Sequence, residues 1–141
     1  MLKQRTLRNP IKAVGIGLHT GKNITMELLP AKVNTGINFV RKDVNEKIVI
    51  PAIAENVGDT SLSTALIKDD VKISTIEHLL SAIAGLGVDN CTIIVDGPEV
   101  PIMDGSSSPF VFLIQSVGFE EQDELKIFIK VKKDIPVTRD D

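Results

Sequence analysis

The sequence predicts an α+β fold: a two-layer sandwich with a mixed, mostly antiparallel sheet and two principal helices on one face. Two observations predict it. Strand-length pieces of period-two or continuous apolar character run from the N-terminus to Ile73, and only two later stretches switch to the period of a helix. Two helices cannot cover both faces of a sheet this large, and a doubly wound parallel sheet would need a helix after nearly every strand. The 141 residues, 43% hydrophobic and 25% charged, suit one domain over residues 1–141. A chain of this length buries roughly 68% of its unfolded surface and needs neither disulfide nor structural metal to hold a core.

Residues 3–7 are short and β-compatible, and residues 11–18 are apolar but end among glycines. Over residues 23–29, Ile24, Met26 and Leu28 alternate with Thr25 and Glu27, the pattern of a half-buried strand. Pro30 closes it. Residues 37–40 open another strand after Gly36, and residues 47–50 run into Pro51, whose missing N–H suits a strand edge or end. Residues 63–67 turn at Asp69-Asp70 and return through residues 71–73 as a hairpin. Ile76, Leu79, Leu80 and Ile83 then fall at i, i+3, i+4 and i+7, with Ser74 just ahead as cap and Glu77 at the capping-box position. This helix should end near Gly85 or Gly87 and cross to an apolar strand over residues 90–95. Asp96-Gly97-Pro98 stops that strand. A second helix starts at Pro109 behind a Ser108 cap, with Phe110, Leu113, Ile114 and Val117 on one face, and ends at Gly118. Residues 126–132 alternate Ile127, Ile129 and Val131 with lysines, which predicts a last strand with one wet face before the polar residues 138–141.

Lys and Arg number 16 against 19 Asp and Glu, a net charge of −3, which argues against nucleic acid as a partner. There is no Trp or Tyr and the five Phe are scattered, so base-stacking platforms are missing too. The single cysteine, Cys91, lies in an apolar run and reads as a buried small hydrophobe. The first ten residues are too polar for a secretory signal, and no span approaches the ~20 apolar residues of a transmembrane helix. The expected location is the reducing cytoplasm.

Three segments carry residues capable of chemistry. In Gly15-Ile16-Gly17-Leu18-His19-Thr20-Gly21 the dinucleotide fingerprint fails, because the third glycine comes one position late and a strand follows. What remains is a tight turn that holds His19 where a ligand could approach the backbone closely. Glu77-His78 stands at the first turn of a helix, where free N–H groups and the dipole also act. Glu77 as a cap and His78 as packing is the competing reading. A zinc site needs about three protein ligands, yet four residues after His78 stands Ala82 and four after His19 stands Asn23. The third segment, Pro101 through Pro109, is a rigid polar loop in which Asp104-Gly105 makes a turn, and Asp104 and the serines can face a polar ligand.

Taken with Ile73-Ser74-Thr75-Ile76-Glu77-His78-Leu79, Ala84-Gly85-Leu86-Gly87-Val88-Asp89-Asn90 and Pro101-Ile102-Met103-Asp104-Gly105-Ser106, the glycine turn completes an order and spacing that closely resembles a known family. It is that of the zinc-dependent UDP-3-O-acyl-N-acetylglucosamine deacetylases of bacterial lipid A biosynthesis. The resemblance spans essentially the whole chain but only the first half of that enzyme, in which two similar α+β domains pack with the active site between them. It implies a catalytic general base at Glu77 and a zinc ligand at His78, with the remaining ligands in a second, C-terminal domain. It further implies substrate contacts at His19, Leu62 and Ser63, in a UDP-linked acylated glucosamine site. Residues 59–64 match a strand beside the zinc, although the family often carries Met and Cys where this chain has Ser61 and Ser63. The isolated chain is then expected to be inactive. The alternative is a module of the same fold that binds a sugar nucleotide or a partner domain without catalysis.

Overall fold

The computed structural model describes residues 1–45 and 48–138. The elements in chain order are β1 (Lys3–Leu7), β2 (Ile11–Ile16), β3 (Asn23–Pro30), β4 (Ile37–Arg41), β5 (Val49–Pro51), a 3-10 turn (Ala54–Asn56), β6 (Leu66–Lys68), β7 (Val71–Ile73), α1 (Glu77–Gly85), β8 (Cys91–Val95), α2 (Ser108–Val117) and β9 (Phe119–Leu125). Five strands form the main sheet in the order β2-β3-β8-β4-β5, all antiparallel neighbours except the parallel pair β4–β8. A parallel pair needs a long crossover, and the connection from β4 to β8 contains α1.

The register puts Ile11, Leu28, Ile93, Phe39 and Ile50 in one row across all five strands, and every one of them is buried. Period-two alternation in each strand is what aims this row at the same face. Leu79, Ala82 and Ile83 of α1 and Phe110 and Ile114 of α2 close over that face in one continuous core. The α+β sandwich is therefore as the pattern predicts. Pro51 ends β5 at the sheet edge, where no neighbour needs its N–H. Asp69 and Asp70, both at positive φ (48° and 63°), make the tight turn between antiparallel β6 and β7. Helix α1 closes as expected on Gly87 (φ 67°): its N–H bonds the Ala84 carbonyl, and the Val88 N–H reaches back to the Ile83 carbonyl.

Four expectations fail, each for a traceable reason. Residues 126–132 form no strand: Ile127, Ile129 and Val131 are 79%, 99% and 80% exposed, and alternation cannot make a strand without a partner backbone. The strand lies just before them instead. The acidic β9 pairs antiparallel with β1, with Leu7 opposite Phe119 and Arg5 opposite Glu121, and Lys3 bonds Asp123 at 3.1 Å. The hairpin strand β6 starts at Leu66 rather than Ser63, because the Ala65 N–H and carbonyl are used at Asp59 and Gly58 to close a loop. Neither serine caps a helix. Ser74 gives both its N–H and its hydroxyl to the Pro98 carbonyl. Ser108 is the first residue of α2, and its N–H is accepted by the Ser106 hydroxyl oxygen. Lys47 of the predicted 47–50 strand and residues 139–141 lie outside the described residues.

Candidate active site

The site forms where β7 passes into α1. Thr75 takes the left-handed conformation at φ 59°, rare for a β-branched residue, and this bend starts α1 at Glu77. Glu77 and His78 therefore occupy the first helical turn, both half-buried. The capping-box role for Glu77 is not what the carboxylate does. Its Oε2 accepts the backbone N–H of Thr64 at 3.0 Å, while the Thr64 carbonyl accepts the Ile76 N–H at 3.4 Å. Both peptide groups of Thr64 are thus spent on the start of α1, which docks residues 59–64 beside Glu77. Ser63 is half-buried in that loop, and Leu62, at φ 62°, projects into solvent at 92% exposure. Asp59 closes the other end of the loop. Its carboxylate accepts the Ser61 N–H at 2.9 Å and the Lys72 ammonium at 2.9 Å. The Ser61 N–H, with Lys72 behind it, brings its pKa down to about 2.

His19 sits in the turn of the β2–β3 hairpin, closed by Gly17 N–H to the Lys22 carbonyl and Gly21 N–H to the Gly17 carbonyl. Its backbone N–H, and that of Thr20, donate to the carboxylate of Glu99 at 3.2 and 2.8 Å, and the Thr75 hydroxyl donates to the same group at 3.4 Å. Glu99 is completely buried. Burial by itself would raise its pKa, but the donors from Thr20 and His19 and the His19 charge outweigh it and hold the carboxyl below its ordinary range. This residue was missed by sequence reasoning. The available signal was an acid flanked by Pro98 and Val100-Pro101 at the end of an apolar strand, a place where a charge survives only if paired or bonded.

A groove of about 630 Å³ runs alongside, lined by Val14 to Leu18, Gly21, Ile102 to Asp104 and Pro109. Asp104 borders it in a turn whose oxygen accepts the N–H and hydroxyl of Ser106. Those two bonds, and more weakly the charge of nearby His78, hold the Asp104 carboxyl below its usual range. The groove thus has the His19 turn on one wall and Asp104, within electrostatic reach of His78, on the other. The structure ties Glu77 directly to the loop of Leu62 and Ser63, and ties the His19 turn to the same bend through Glu99.

As a metal site this is partial. Among the described residues no group of three or more His, Cys, Asp or Glu could hold a metal ion. The donor chemistry that is present fits one ligand: the His78 imidazole is half-buried, makes no hydrogen bond among the described residues and directly follows Glu77 in the chain.

Residues 4–141 match the family model of UDP-3-O-acyl N-acetylglycosamine deacetylase. The chain belongs to that family. It is 62% identical over 135 residues to a UDP-3-O-acyl-N-acetylglucosamine deacetylase of Cellvibrio japonicus, covering 96% of this chain and 45% of that protein. The proteins of the same name from Hahella chejuensis and Saccharophagus degradans are 57% and 61% identical, covering 100% and 97% of this chain and 47% and 45% of theirs. The chain spans about half the length of the curated relatives it matches. No helix is long and apolar enough to cross a membrane among the described residues. In this deacetylase family chain, the glycine turn and the Asp104 loop, far apart in sequence, line one groove, while Glu99 joins the glycine turn to the Thr75 bend just ahead of Glu77 and His78 acts electrostatically on Asp104.

Proposed function

We propose that this chain is the N-terminal half of a zinc-dependent deacetylase that hydrolyses the acetamide of UDP-3-O-acyl-N-acetylglucosamine, in the lipid A biosynthesis of the cytoplasm. The observation that carries it is the first turn of α1, where Glu77 and His78 are consecutive, the 59–64 loop is fastened to the Glu77 carboxylate and the His78 imidazole makes no hydrogen bond among the described residues. His78 gives one ligand to Zn2+, and the chain's own C-terminal domain gives the others. Zinc, when bound, supplies Lewis acidity that brings the pKa of a coordinated water to about 7.

Glu77 serves as general base. Its Oε2 is held by the Thr64 N–H, which fixes the carboxylate plane and leaves Oε1 to take a proton. The same bond positions Ser63 and the exposed Leu62 against the substrate, and His19 contacts it from the glycine turn. Nucleic acid has no place in this reading, in keeping with a net charge of −3.

The lack of a three-ligand cluster among the described residues favours a second reading for the chain alone: a non-catalytic sugar-nucleotide-binding or domain-pairing module of the same fold. One assay separates them. A protein of the relatives' full length that carries this chain should release acetate from the substrate, and Glu77→Gln should lower the rate roughly 10²–10⁴-fold. The 141-residue chain by itself should release none. Near-normal turnover by Glu77→Gln would falsify the base assignment.

A further inference from the structure

The proposed reaction makes no use of Glu99, yet a fully buried carboxylate is costly to desolvate unless its bonds recover that energy. Its three donors come from two segments far apart in the chain. His19 and Thr20 give backbone N–H groups from the glycine turn, and Thr75 gives its hydroxyl from the bend that precedes Glu77. Both segments are shaped around the acid. Gly17 passes so close that a Cβ there would collide with the Glu99 carboxylate. Thr75 holds a left-handed conformation that is strained for a β-branched residue and donates its hydroxyl to the same group. Strain of this kind persists only where the surroundings over-determine it.

We propose that Glu99 is a positioning residue for the deacetylation: it locks the His19 turn to the Thr75 bend and so fixes the His19 turn relative to the start of α1, where Glu77 and His78 stand. The assignment rests on the functional reading of His19, Glu77 and His78 given above. Glu99 touches no substrate. It acts through the turn it holds, where a displacement of about 1 Å is enough to cost ~10²-fold in rate.

Glu99→Gln tests it, since the amide replaces one acceptor oxygen with a donor facing an N–H. In the 141-residue chain, hydrogen exchange at the His19 and Thr20 amides should quicken by about 10-fold or more while Ile93 in β8 stays protected. In a protein of the relatives' length, kcat/KM should fall about 10- to 100-fold. The double variant with His19→Ala should then lose no more than the larger single loss, because the two act as one unit. Unchanged exchange at Thr20, or losses that simply add, overturns the proposal. Should Glu99→Gln not fold, Thr75→Val removes only the hydroxyl and keeps the branched shape. Its smaller loss must also fail to add to that of His19→Ala. A wild-type protein without turnover sinks the functional reading instead, and the exchange measurement still decides whether Glu99 is the lock.

Discussion

The carboxylate of Glu77 accepts the backbone N–H of Thr64 at 3.0 Å, so a residue spaced for a helix cap is spent on a loop thirteen positions upstream. That difference is measurable. Glu77→Ala strands the Thr64 N–H and should loosen residues 59–64 at a cost of about 1–2 kcal/mol, seen as faster exchange at Thr64 and a lower melting temperature. Glu77→Gln keeps an acceptor oxygen and should leave both near wild type. Equal protection of Thr64 in the Ala variant would show that the bond holds nothing.

The pairing of elements was legible wherever a segment's own pattern decides its conformation. Ile24, Met26 and Leu28 choose a face, Asp69-Asp70 chooses a tight turn, and Gly87 and Gly118 end helices through positive φ. What stayed hidden depends on partners remote in sequence. Residues 119–125 look too acidic for a strand until β1 supplies Arg5 opposite Glu121 and Lys3 beside Asp123. Residues 126–132 look like a strand, but past the Lys126 N–H, which bonds the Leu2 carbonyl, they join no ladder among the described residues. The same holds for the site: Glu77 and His78 stand out as adjacent functional groups, whereas Glu99 becomes visible only when the fold brings His19, Thr20 and Thr75 around it.

Acid should open the 59–64 loop before the core. Asp59 has its pKa lowered to about 2 from an ordinary 3.8, first by the Ser61 N–H and then by Lys72. A depressed carboxyl binds fewer protons in the folded state, so its contribution is complete above about pH 4 and is lost as pH falls through about 2. Chemical shifts of the Ser61 amide should follow that titration, and Asp59→Asn should abolish it. A Ser61 amide indifferent to pH between 5 and 2 would contradict the assignment.

Cys91 should be inert in the native protein. Burial pushes its pKa up to about 12, against a weaker opposing bond with the backbone of Leu29, and the thiol is fully covered. The thiolate is the reacting species, so iodoacetamide at pH 8 should label Cys91 only as fast as the chain unfolds. Denaturant should restore the rate of a free thiol. Rapid labelling without denaturant would mean that β8 opens locally.

His78 decides whether this helix start belongs to a metal centre. It is half-buried, makes no hydrogen bond among the described residues and lies outside the core, so His78→Ala should change stability by less than about 1 kcal/mol. Its effect on zinc should be far larger. Losing a residue that merely orients a ligand costs 10–100-fold in affinity, and losing one of about three ligands should cost at least ~100-fold. The measurement needs a protein of the relatives' length, loaded with zinc and dialysed against a mild chelator, with metal content and melting temperature read on the same samples. The expected result is a folded variant that loses its zinc where the wild type keeps it. Retained zinc with an unchanged melting temperature would leave His78 as packing, and the ligands would then have to be sought outside this chain.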